Sequence, residues 1–182
     1  MQILSAPSGG RTSVAGYFAG GSDAGGNLSG IDKITFPADT KTTLSATLST
    51  VTFGGVGFAN SGVAGYAAGG QDNSGGTSKI DKIAFPADTQ TTLAATLTAA
   101  TSFGGGFANS GVAGYYGGGI GMGSSIDKIT FPADTKSTIV ATLTSAISFL
   151  AGMANSGVAG YFGGGSVATS RIDKITFPAD TK

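Results

Sequence analysis

Cysteine, histidine, tryptophan and glutamate are all missing from these 182 residues, and each absence closes a class of chemistry. Without cysteine there is no disulfide and no thiolate nucleophile. Without histidine there is no histidine-based triad and none of the usual zinc, copper or haem ligand sets. Metals are left with carboxylates and carbonyls. Charge is scarce too: charged residues make up 11%, ten Lys and Arg balance ten Asp, and the net charge is zero. No basic field is present to hold a phosphate backbone, so nucleic acid is not an expected partner. No apolar stretch reaches about 18 residues without interruption, and the N-terminal MQILSAPSGGR lacks a charged segment followed by an apolar one. The sequence therefore predicts neither a membrane span nor a signal peptide, and no cofactor.

What the chain does have is glycine, 33 of them, in a sequence that is 40% hydrophobic. The glycines belong to a repeat. IDKITFPADTK begins at Ile31 and returns at Ile80 (as IDKIAFPADTQ), Ile126 and Ile172, so the repeats are 49, 46 and 46 residues apart. Self-similarity at such a period means a repeat architecture. The internal spacing is constant, since Ile31 to Tyr66, Ile80 to Tyr115 and Ile126 to Tyr161 are each 35 residues. Variation sits in one connection, between the double glycine and the next IDK. It is three residues longer in the first two repeats (GSDAGGNLSG, GQDNSGGTSK) than in the last two (GIGMGSS, GSVATSR). A constant scaffold with one variable connection places specificity in that connection.

Within a repeat, short runs of small, β-branched and aromatic residues lie between turn residues and read as strands. In the second repeat they are FGGVGFANS (53–61), VAGYAAGG (63–70), KIDKIAFP (79–86) and TTLAATL (91–97). Asn60-Ser61-Gly62 suits a tight hairpin. Pro86-Ala87-Asp88-Thr89 suits a turn whose Asp carboxylate bonds nearby backbone N–H groups. Four antiparallel strands per repeat make one propeller blade, and the expectation is one all-β domain over residues 1–182, a four-bladed β-propeller. Ile3-Leu4-Ser5-Ala6 resembles Thr43-Leu44-Ser45-Ala46, so the N-terminal strand is expected to complete the last blade and close the ring; the alternative, since Ala6 to Tyr17 is nine residues shorter than Ala46 to Tyr66, is that this segment serves the first blade and leaves the fourth short. Small residues in GGVGFAN, GGGFANS and AGMANS allow close approach near the axis. Aromatics at Tyr17, Phe18, Tyr66, Tyr115, Tyr116, Tyr161, Phe162, Phe36, Phe85, Phe131 and Phe177 are expected to fill the spaces between blades.

VAGYFAGG, a variable loop, then IDKITFPADTKTTLSATL resembles the kelch motif: an apolar strand ending in a double glycine, a loop, a strand ending in an aromatic and a turn, and a Thr-rich strand. The usual Trp and Arg of kelch repeats are absent, so kelch partner-binding residues do not carry over. NSGVAGYFAGG with IDKITFPADT is similar to the glycine-rich kelch-like repeats of tailed-phage virion proteins, notably those of cyanobacterial and marine hosts. The resemblance covers essentially the whole chain. It implies a virion component, assembled in the host cytoplasm, whose partners are other virion proteins or copies of itself.

The recurring Asp and Lys residues (Asp32-Lys33, Asp81-Lys82, Asp127-Lys128, Asp173-Lys174, with Asp39, Asp88, Asp134 and Asp180 in the turns) are poor catalysts. Fourfold repetition gives every copy the same surroundings, whereas acid–base work needs two carboxylates with different ones. Turn capping and surface or inter-blade ion pairs are the expected roles. Asp23 and Asp72, in glycine-rich loops, have too few neighbouring carboxylates for calcium, and no metal site is expected. The double glycines end strands without a following P-loop lysine, which argues against a phosphate cradle. Residues that break the repeat are the better candidates: Arg11, Asp23, Asn27, Gln71, Asp72, Asn73, Lys79, Met122 and Arg171. Of these, Asp23, Asn27, Gln71, Asp72, Asn73 and Arg171 form the expected ligand-binding set on the variable loops.

The leading functional expectation is a non-enzymatic structural or host-surface (glycan) binding component of a phage virion. The alternative is a free bacterial carbohydrate-binding, lectin-like propeller, cytoplasmic or extracellular. A propeller enzyme ranks third, because no titratable cluster is confined to one face.

Overall fold

The computed structural model describes residues 14–166 and 171–182; Arg11 and the expected closing strand at Ile3–Ala6 lie outside them. All regular structure among the described residues is β. The strands are β1 (Val14–Asp23), β2 (Gly26–Phe36), β3 (Thr40–Thr43), β4 (Val56–Asn60), β5 (Ala64–Ala68), β6 (Gln71–Asp72), β7 (Gly75–Gly76), β8 (Ile80–Ala84), β9 (Thr89–Thr92), β10 (Gly105–Asn109), β11 (Ala113–Gly117), β12 (Ile126–Thr130), β13 (Thr135–Thr138), β14 (Leu150–Asn155), β15 (Ala159–Gly164) and β16 (Ile172–Thr176). Each repeat forms its own antiparallel meander: β1-β2-β3, β4-β5-β8-β9, β10-β11-β12-β13 and β14-β15-β16, with β6-β7 a small separate hairpin. No sheet among the described residues closes on itself.

The turns follow from their residues. In Asn60-Ser61-Gly62 the Val63 N–H donates to the Asn60 carbonyl at 3.0 Å, and Gly62 takes φ +74°, a conformation open to a residue without Cβ. In the FPAD turns the four Asp residues adopt φ 52–56°, which Asp tolerates better than most side chains, and Asp88 N–H donates to the Ala84 carbonyl at 2.9 Å.

Two expectations are corrected. TTLAATL is a strand only in its first two residues: pairing ends at Thr92, and Leu93 and Leu97 instead send their N–H groups to the carbonyls of Ile80 and Ser78. The spacing of the two leucines turns the segment inward, and Leu97 ends up 3% exposed against the core. The first variable connection is not a free loop either. Gly21 to Asp23 and Gly26 to Leu28 continue the β1-β2 ladder past a bulge at Ala19/Gly21.

Sheets pack face to face in chain order, most closely at the inner strands, β4 on β10 and β10 on β14. The second and third repeats push side chains into glycines of the next. A Cβ at Gly106 would lie 2.3 Å from Val56, at Gly114 2.1 Å from the Phe58 ring and at Gly160 2.0 Å from the Phe107 ring. A Cβ at Gly152 would lie 2.2 Å from the Gly106 carbonyl oxygen, so β10 and β14 meet backbone to backbone. Farther out, the expected aromatic filling is present in part: Tyr17 stacks on Phe85, Tyr66 on Phe131 and Tyr115 on Phe177, with centroids 4.8, 5.0 and 5.4 Å apart, but Phe18, on the other face of β1 from Tyr17, is 43% exposed.

Candidate functional site

Register brings the recurring charges together. Tyr17 faces Lys33 across β1-β2, Tyr66 faces Lys82 across β5-β8, and Tyr115 faces Lys128 across β11-β12. Each pair therefore projects from one face, toward the next repeat, where a single turn carboxylate receives both. Asp88 accepts from Tyr17 Oη at 2.7 Å and Lys33 Nζ at 2.6 Å. Asp134 accepts from Tyr66 at 2.7 Å and Lys82 at 2.6 Å, and Asp180 from Tyr115 and Lys128, both at 2.6 Å. The lysine Nζ lies 5.6–5.8 Å from the ring centroid of its tyrosine, adding a cation–π attraction. The ion-pair expectation for Asp88, Asp134 and Asp180 holds, and it replaces their expected role as local turn caps.

The IDK carboxylates do a second job. Buried Asp127 accepts from Thr98 N–H at 2.6 Å, Thr98 Oγ1 at 2.7 Å and Thr138 Oγ1 at 2.7 Å. Asp81 holds Ser49, and Asp173 holds Thr144, in the same way. Each thus pins the linker from the preceding repeat, and the Asp and Thr spacing alone gives little sign of it. Burial acts to raise the Asp173 pKa but is outweighed by its bonds to Lys182 and Thr144, leaving it below the ordinary carboxylate range.

Burial, then the bond to the carboxylate and its charge, push Tyr17, Tyr66 and Tyr115 well above the ordinary tyrosine range. The native state thus favours the protonated phenol. Its stabilisation is complete below the unfolded value, about pH 10, and is lost as pH rises beyond that. Urea midpoints are expected to hold steady to about pH 10 and then fall. The phenolate absorbance of these three, assigned with single Tyr→Phe variants, should develop only with unfolding. Phenolate formation in the folded protein near pH 10 would contradict the arrangement.

The loop candidates are partly assembled. Asp23 Oδ1 accepts from Gly25 N–H and Asp72 Oδ1 from Ser74 N–H, each at 2.7 Å, giving two like turns. The two hairpin ends adjoin where Asn27 Nδ2 donates to the Gln71 carbonyl at 3.1 Å. Asn73 is exposed on the second tip. Arg171 belongs elsewhere, donating to Ser145 Oγ at 2.6 Å on the linker of the last repeat, as Lys79 does to Thr50. Met122, a repeat-breaking residue, is core. Among the described residues no three acidic side chains converge as a metal site would require, and no helix is long and apolar enough to cross a membrane. An apolar cavity of about 290 Å³ lies between the first two sheets, bounded by Tyr17, Leu48, Phe58, Tyr66 and Ile83.

The chain matches no protein-family model and no curated protein sequence.

Proposed function

We propose that this chain is a non-enzymatic, kelch-like β-propeller module whose four sheets are blades, serving as a structural or host-surface-binding component of a phage virion. The observation that carries the reading is how the titratable groups are used. At three successive junctions the same Tyr, Lys and Asp are bonded to one another across repeats, which is scaffold work. The groups left to meet a ligand are the polar ones at the hairpin tips, Asp23, Asn27, Gln71, Asp72 and Asn73. Such groups suit sugar hydroxyls, each contact weak and strengthened by many copies on one particle.

The test displays the full chain at high density on beads and screens it against a glycan array and bacterial cells. Binding is expected, and Asp23→Ala with Asn73→Ala should weaken it about tenfold. No binding in any format would overturn the host-surface half of the reading. Glycan cleavage abolished by a single Asp substitution would overturn the non-enzymatic half. Binding by isolated chains that never associate with particles would favour the free lectin-like alternative.

A further inference from the structure

The last repeat keeps the groups with which earlier repeats hold their neighbours, and among the described residues it uses none of them in that way. Tyr161 and Lys174 face each other in register across β15-β16, as Tyr115 and Lys128 do one repeat earlier. Among the described residues, neither meets the carboxylate that completes the other three junctions. Met153 stands where Phe58 and Phe107 stand, yet it is 70% exposed against 2% and 0%. Ile172 is 69% exposed where Ile31, Ile80 and Ile126 are fully buried.

The first repeat offers the complementary set. Asp39 has the left-handed turn geometry of Asp88, Asp134 and Asp180, but it is exposed, whereas they are half-buried against the preceding repeat. Gly16 occupies the position at which Gly114 and Gly160 receive Phe58 and Phe107, and a Cβ there would meet only its own repeat's Phe36, at 3.7 Å, as one at Gly65 meets only its own repeat's Phe85, at 3.2 Å. Ile34 is half-buried where Ile83, Ile129 and Ile175 are buried.

We propose that the last repeat of one copy docks on the first repeat of a second copy, head to tail, reproducing the internal junction. Met153 packs over Gly16, and Tyr161 and Lys174 bond Asp39. The occupant is a second copy, since none of the described residues of the chain's own first repeat covers Met153 or Ile172. Charge agrees, with a lysine on one face and an aspartate on the other. Two last repeats would set lysine against lysine, so the contact is heterologous, and copies add in a ring or a line. Methionine, flexible where the internal knobs are phenylalanines, suits a contact made after folding.

The inference deepens the structural role proposed above. It is tested by sedimentation velocity on the full chain across a concentration series, with glycan binding scored on the same samples so that the two ideas fail separately. Mass is expected to rise with concentration. Asp39→Lys and Met153→Asp alter exposed, unpartnered side chains, so both variants should fold; each alone should associate about ten- to a hundredfold more weakly. Mixed, they should form a one-to-one complex and nothing larger, since each retains one working face. A wild-type chain that stays monomeric, variants that associate like wild type, or a mixture that forms no complex would each overturn the proposal.

Discussion

Alanine at Gly160 or Gly114 is expected to destabilise the protein by about 3 kcal/mol, while alanine at Gly16 costs less than about 1 kcal/mol. The three glycines hold the same place in their repeats and none has positive φ, so backbone preference cancels from the comparison. What differs is the neighbour. At Gly114 and Gly160 the new methyl meets the Phe58 and Phe107 rings at 2.1 and 2.0 Å, and at Gly16 it meets its own repeat at 3.7 Å. Both rings are buried and stacked on a tyrosine of their own sheet, Tyr66 and Tyr115, so they cannot swing aside cheaply. The inner strands repeat the contrast. Gly152→Ala would strike the Gly106 carbonyl at 2.2 Å, whereas at Gly57 the nearest atom is 3.9 Å away. Urea midpoints of dilute samples check the series, and equal costs at all positions would refute the interlocking described.

Asp134→Asn should cost about 2 to 3 kcal/mol, and Asp39→Asn, its counterpart in the first repeat, less than about 0.5 kcal/mol. Asparagine tolerates the left-handed turn, so the difference isolates the junction. Losing the Asp134 charge leaves Lys82 and Tyr66 without their acceptor. Removing one partner from a fully buried pair costs about 3–5 kcal/mol. Lys82 and Asp134 are 21% and 19% exposed, and water softens the loss accordingly. Chemical denaturation of both variants with wild type supplies the comparison, and a near-zero effect at Asp134 would remove the triads from the account.

Local features were legible in the chain because they depend on neighbours in sequence. The IDK recurrence marks one meander per repeat, Asn-Ser-Gly marks a hairpin, and the small residues of GGGFANS mark a strand that another backbone approaches. The use of Asp88 was only half legible: a turn aspartate can cap its own backbone or reach outward, and the choice rests on Tyr17 and Lys33, 71 and 55 residues away. TTLAATL misled because its Thr-rich composition favours a strand, while its leucines find better burial by leaving the sheet. Met122 broke the repeat for packing, filling the core beside Tyr66 and Leu97. Of the loop candidates, Asn27 and Gln71 come together because the β1-β2 hairpin is longer than its glycines suggest. Arg171 does not join them, since it serves the linker as Lys79 does.

The most direct test of repeats that interlock in chain order and leave the last face for another copy is methionine oxidation, followed residue by residue by mass spectrometry over a dilution series. At the lowest concentration Met153 should oxidise rapidly and Met122, 6% exposed, slowly, with Met153 becoming protected as concentration rises. Protection of Met153 at every dilution would mean that the chain's own first repeat covers it. Rapid oxidation at every concentration would mean that nothing does, and either result would contradict the account.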